Sequence, residues 1–166
     1  MGCGGGKDLV SPPQSDTDSF PGRRRWQKPT EEAIESELIT ICDKERFGAL
    51  ECFFATDGDP NIKCNHTELT QYTTTMLAYA ATHNRIRIVD LLLRQPKLDV
   101  NMGDEMLNTA LMLSAWKGNE EIVAMLLRHP RIDVDARGFG AQTALCAAVE
   151  GGFARQVQQC VAAGSN

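Results

Sequence analysis

Aromatic residues make up only 6% of this 166-residue chain, and no purely apolar run is longer than six residues, as in Ile122 to Leu127. A helix that crosses a bilayer needs roughly 18 such residues, so no segment is expected to span a membrane. Cysteine occurs six times but never as Cys-x-x-Cys, which removes the usual zinc and dithiol spacings. Four of the thiols, Cys42, Cys52, Cys146 and Cys160, fall on apolar helix positions and are expected to be buried as small hydrophobes. No apolar stretch follows the start Met1-Gly2-Cys3-Gly4-Gly5-Gly6-Lys7, so a reducing cytosol is the expected compartment and the thiols are expected to be free. The dense glycine run has no strand before it and is not a phosphate-binding loop.

Catalytic groups are equally sparse. Of the three histidines, His66 falls in a loop and His83 and His129 fall at helix ends, where an imidazole is commonly exposed or capping. No nucleophile–base pair and no metal cluster can be assembled from these spacings. The expectation is therefore no catalytic residue, no metal, no cofactor and no small-molecule substrate.

Charge is unevenly distributed. Residues 1–30 hold five basic side chains against three acidic, a net of +2, and the remainder holds twelve against nineteen, a net of −7, which together make the chain's −5. An acidic body lacks the basic face that nucleic acid requires, so no nucleic-acid partner is expected. Any attraction to anionic surfaces belongs to residues 1–30.

What is present falls into two parts. Residues 1–30 contain Gly4 to Gly6, Ser11-Pro12-Pro13, the alternating Ser15-Asp16-Thr17-Asp18-Ser19 and Pro21-Gly22, too little apolar surface to repay ordering, and read as a disordered tail. From Thr30-Glu31-Glu32 an N-cap and helix-start pattern leads into Ile34, Leu38, Ile41 and Cys42, so the folded body is expected to cover 31–166. The body matches itself at an offset of 34. Thr75-Met76-Leu77 falls on Thr109-Ala110-Leu111 and then on Thr143-Ala144-Leu145, and 11 of the 34 positions from Thr75 are identical in the next unit. The apolar spacing in each unit predicts two short helices, about 75–83 and 86–94 in the first clear one, with Asn84, Gly118 or Gly152 in a left-handed turn between them. An extended loop follows each pair, and the one at 64–74 is about four residues longer than the others.

These residues resemble the ankyrin repeat family. The family's Thr-Pro-Leu-His start, alanine pair, glycine turn, Val-Val/Leu-Leu second helix and Asp-Val-Asn exit are echoed by Thr109-Ala110-Leu111, Ala115, Gly118-Asn119, Ile122-Val123, Leu126-Leu127 and Asp133-Val134-Asp135. The resemblance implies an all-α repeat solenoid with units at about 31–74, 75–108, 109–142 and 143–166. The Pro and His of the start motif are replaced in all three clear units, by Met76 and Ala78, Ala110 and Met112, Ala144 and Cys146, and a looser stack is expected. In the last unit Gln156, Gln158 and Gln159 read as the polar outer face of a terminal repeat, or as the edge of a longer stack.

The resemblance further implies a non-enzymatic module that binds a protein partner, a scaffold or adaptor. Family contacts come from hairpin tips and from the variable residues after the alanine pair. Carried onto this chain, those are Thr82, His83, Trp116, Lys117 and Glu150 on the first helices, with Glu105, Met106, Phe139 and Gln142 at the tips. Trp116 flanked by Met106 and Phe139 would form an apolar patch of the kind that dominates binding energy. The competing expectation is that Trp116 packs against the neighbouring unit.

The start resembles that of N-myristoylated and palmitoylated peripheral proteins, with Gly2 the myristoyl acceptor and Cys3 the palmitoylated thiol, although Gly6 stands where the signal asks for Ser or Thr. One myristoyl chain binds membranes only marginally, of order 10⁴ M⁻¹, and needs a second signal. Arg23, Arg24, Arg25 and Lys28 offer one, at about 1 kcal/mol each near anionic lipid, and Trp26 favours the headgroup zone. The expected location is the cytoplasmic face of a membrane. The alternative is a soluble cytosolic or nuclear inhibitor or adaptor with an unmodified tail.

Overall fold

A computed structural model describes residues 39–164, except 41, 45, 46, 56 and 66–72. The tail lies outside the described residues, and with it Gly2, Cys3, Arg23, Arg24, Arg25, Trp26 and Lys28; so do Thr30, Ile34, Leu38, Ile41 and His66.

The described residues form seven α-helices: α1 Phe47–Ala55, α2 Met76–Thr82, α3 Ile86–Leu93, α4 Ala110–Lys117, α5 Glu120–Leu127, α6 Ala144–Glu150 and α7 Ala154–Gly164. Helical residues at 39–40 and 42–43 precede α1. From α2 onward the helices pair as hairpins, α2 with α3, α4 with α5 and α6 with α7. The first helices stack as α2 on α4 on α6, and the second as α3 on α5 on α7.

Each first helix starts on the threonine of the repeat. Thr75, Thr109 and Thr143 all have extended backbone, and each side-chain oxygen accepts from the amide three residues on, in Ala78 at 3.1 Å, Met112 at 3.4 Å and Cys146 at 3.4 Å. Such N-caps are typically worth about 1 kcal/mol. Threonine thus keeps the helix start of the repeat although the neighbouring Pro and His are absent. The turns that follow adopt the expected left-handed conformation, at Asn84 (φ 56°), Gly118 (φ 76°) and Gly152 (φ 75°).

The core follows the 34-residue period. Ile88 and Ile122, Val89 and Val123, Leu92 and Leu126, and Leu77 and Leu111 are all nearly fully buried. The first and second units are joined by Tyr79, whose buried hydroxyl donates to Asp43 Oδ1 at 2.8 Å, with Arg85 3.6 Å from the same oxygen. Burial and the adjacent carboxylate push the Tyr79 phenol well above its ordinary pKa.

Asparagines clamp one unit to the next. Asn61 donates to Lys97 O at 2.9 Å and accepts from Asp99 N at 2.7 Å. One unit on, Asn101 donates to Arg131 O and accepts from Asp133 N, at 2.7 and 2.8 Å. Asn119 Nδ2 donates to Ala81 O at 2.6 Å, satisfying a carbonyl at the open end of α2.

Three expectations are corrected. The connection at 64–74 is not simply extended: its ends pair as antiparallel strands β1 Lys63–Asn65 and β2 Thr73–Thr75, with Lys63 opposite Thr75. Three consecutive β-branched threonines favour that pairing, and the extra length lets the two ends lie side by side. Gln156 does not face outward; it is buried at the position of Ile88 and Ile122, and its amide donates to Gly118 O at 3.0 Å. Cys42 and Cys160 are buried as expected, but Cys52 and Cys146 are exposed, because no unit among the described residues covers the side of α1 or α6 on which they lie.

Candidate interaction surface

The 34-residue period carries side chains into rows. Thr82, Trp116 and Glu150 occupy one position in successive units, at the ends of α2, α4 and α6, with His83 and Lys117 beside the first two. The connections bring Glu105 and Phe139 to equivalent places at successive tips, followed by Met106, and by Asn108 and Gln142.

The side chains differ in how they are held. Trp116 is 50% exposed, with Lys117 Nζ 4.5 Å from its ring centroid, a cation–π contact worth about 0.5–1 kcal/mol at an exposed site. Phe139 is exposed at the neighbouring tip. Glu150 accepts from Gln142 Nε2 at 2.8 Å, and Glu105 accepts from the Thr73 hydroxyl at 2.7 Å. His83 is exposed yet stacked on Tyr79, centroids 4.1 Å apart, with its Nδ1 bonded to Tyr79 O at 2.9 Å. Thr82 is half-buried and donates back to Ala78 O at 2.8 Å. Met106 is also half-buried; the open aliphatic side chain at that tip is Leu107.

Leu107 is the residue that sequence reasoning missed. It has φ 63° and Ala141, one unit on, has φ 60°. A left-handed position favours glycine, and a large apolar residue held there in the open is the signal that identifies it. The tip is closed around it by Asp104, whose Oδ1 accepts from Met106 N and Asn108 N, both at 2.8 Å.

The opposite side of the stack offers an open groove of about 430 Å³ between α1, α3 and α5, lined by Phe47, Glu51, Arg87, Asp90, Arg94 and Glu121 among others. Arg94 pairs with Asp90 at 2.6 Å and Arg87 lies 4.0 Å over the Phe47 ring. Among the described residues no group of three His, Cys, Asp or Glu side chains is placed to hold a metal, and no helix is long and apolar enough to cross a membrane.

Stacked helix pairs with projecting connections define a repeat solenoid, a class that binds other proteins through its extended surface. The sequence description of ankyrin repeats, in three copies, matches residues 39–138, and the chain belongs to the ankyrin repeat family. The pair α6 and α7 lies beyond that match and stacks on α4 and α5 in the same way. Among curated proteins none matches the chain. Ankyrin repeats are protein–protein interaction modules, and this chain is one.

Proposed function

We propose that the protein acts by binding a protein partner across the row Thr82, Trp116 and Glu150 and the tips carrying Glu105, Met106, Phe139 and Gln142, with no chemistry of its own. The observation that carries this is Trp116, a large aromatic side chain half open to solvent in a row where its neighbours are threonine and glutamate. Tryptophan is among the residues most enriched in binding hot spots. His83, stacked on Tyr79, and Lys117, over the Trp116 ring, supply polar groups at the edge of the row.

In the same proposal the tail holds this module at the cytoplasmic face of a membrane, through acylation of Gly2 and Cys3 and through Arg23, Arg24, Arg25, Trp26 and Lys28. The support is chemical: one acyl chain is marginal, and this tail offers both a second acyl site and a basic patch. Intact mass and membrane fractionation of the protein from a eukaryotic cell, beside Gly2→Ala and Cys3→Ser, test it. A mass gain of one or two acyl chains, with wild type in the membrane pellet and Gly2→Ala in the soluble fraction, is the expected result. An unmodified mass with all three proteins soluble removes the tether and leaves a soluble adaptor.

A further inference from the structure

The tips and first-helix ends expose three large apolar side chains, Leu107 at 65%, Trp116 at 50% and Phe139 at 69%. They share one continuous side of the stack, because neighbouring tips touch. The Thr73 hydroxyl donates to Glu105 at 2.7 Å, Phe139 N donates to Asn108 Oδ1 at 3.5 Å, and Gln142 Nε2 reaches Glu150 at the end of α6. The exposure is that of interior units. α4, which carries Trp116, has α2 on one side and α6 on the other, and Phe139 stands in the place of Glu105, which is exposed although the next unit is stacked beside it. Leu107 is held at φ 63°, where glycine would save about 1–2 kcal/mol, so its open side chain is kept at a cost in stability.

The charges on this side differ in how they are held. Its carboxylates already have donors: Asp104 accepts from Met106 N and Asn108 N, Glu105 from the Thr73 hydroxyl, and Glu150 from Gln142. Its cations, Lys63, Lys117 and Arg137, are all exposed, and among the described residues none of the three is in an ion pair. Other exposed cations do meet carboxylates, Arg94 with Asp90, Lys97 with Asp57 and Arg155 with Glu120. Lys63 and Arg137 occupy equivalent places, two residues after Asn61 and Asp135, and Lys117 lies over the Trp116 ring. Asp135 itself stands in the place of Asn101, whose side chain bonds the exit of the following unit. The acid excess of the body lies there and on the second helices, as in Asp99, Asp133, Glu51 and Glu121.

We infer, on the reading that this row and its tips are the binding face, that they take an acidic peptide segment of the partner in which Asp or Glu side chains are interleaved with large apolar ones. The carboxylates meet Lys63, Lys117 and Arg137, and a guanidinium such as that of Arg137 can hold one by two hydrogen bonds. The apolar side chains seat against Leu107, Trp116 and Phe139. A basic segment would set like charge against all three cations and would find carboxylates that already hold donors. Lys63 and Arg137 are two units apart, roughly 20 Å at 8–10 Å per packed helix, which about six extended residues span.

Selection of random displayed peptides on the immobilised full chain tests this, repeated on Trp116→Ala and on the double reversal Lys63→Glu with Arg137→Glu. All three side chains are exposed, so both variants are expected to fold, which a circular-dichroism melt checks. The wild type is expected to enrich peptides rich in Asp or Glu together with Leu, Phe or Trp. One of these, resynthesised, should bind the double reversal at least about tenfold more weakly and lose affinity as salt is raised. The double reversal should itself enrich peptides with Lys or Arg in place of the acids. Enriched peptides that are neutral or basic, yet lost with Trp116→Ala, overturn the acidic partner and leave the Trp116 face standing. No enrichment, or peptides that bind Trp116→Ala as well as wild type, overturn both.

Discussion

The Gln156 side chain donates to the carbonyl of Gly118 at 3.0 Å, from a position where the two preceding units carry isoleucine. The bond joins the last unit to the turn of the unit before it, and its amide is a second donor to a carbonyl that also accepts from Glu120 N at 2.9 Å.

Replacing Gln156 with alanine removes the bond between units, leaving that carbonyl only its bond from Glu120 N, and opens a gap in the core. A loss of about 2 kcal/mol is expected, read as a fall of several degrees in Tm. Gln156→Leu fills the gap but not the bond, and is expected to recover part of the loss. Full stability in the alanine variant would show that the contact contributes nothing.

Gly118 and Gly152 have nearly the same φ, 76° and 75°, but only Gly118 is crowded: a Cβ there would meet the Phe153 ring at 2.4 Å, and at Gly152 nothing lies within 4 Å. Alanine at either position incurs left-handed strain of about 1–2 kcal/mol. At Gly118 the clash adds about 1–3 kcal/mol. Paired denaturant titrations of the two variants should therefore rank Gly118→Ala clearly lower, and equal losses would contradict the packing of Phe153.

Leu107 is held at φ 63° while largely in solvent. Leu107→Gly relieves strain of about 1–2 kcal/mol and gives back up to about 1 kcal/mol through the freer unfolded chain. A small rise in Tm is expected, together with weaker partner binding if the tip takes part. A Tm drop of several degrees would mean that Leu107 packs more than its exposure indicates.

Trp116→Ala is expected to leave Tm nearly unchanged and to reduce partner affinity by about 2 kcal/mol or more, some thirtyfold. A large loss of stability would instead assign the indole to packing against the neighbouring unit.

Burial, and then the nearby Arg131 guanidinium, hold the His129 imidazole below its ordinary pKa of 6.5. Its Nδ1 accepts from Arg131 N at 3.4 Å, which requires the neutral ring. The unfolded chain therefore binds the proton more readily than the folded one, so this contribution to stability is present above about pH 6.5 and is lost as pH falls below it. Melting curves from pH 7.5 to 5.5 should decline less steeply for His129→Gln than for wild type. Identical slopes would remove His129 from the pH dependence.

Much of this architecture was legible before any coordinates. The 34-residue spacing placed the helix pairs, the left-handed turns and the Ile-Val and Leu-Leu pairs, because each depends on local backbone preference and on the repeat period; that Thr75, Thr109 and Thr143 cap their helices from extended backbone was decided by the structure. Thr82, Trp116 and Glu150 were carried over from the family resemblance, and the 34-residue register puts them at one repeat position. Leu107 was not legible, since neither its left-handed backbone nor its exposure leaves a mark in residue type.

Burial at the end of the stack was decided by the tertiary structure alone. Leu145 and Leu111 are the same residue at the same repeat position, and only Leu111 has a further unit packed over it among the described residues. Cys146 and Gln156 were misjudged for the same reason. The period states what kind of side chain stands at a position, whereas burial depends on whether a neighbouring unit displaces water there, and a buried glutamine is stable only where the fold brings a carbonyl such as that of Gly118 within reach of its amide.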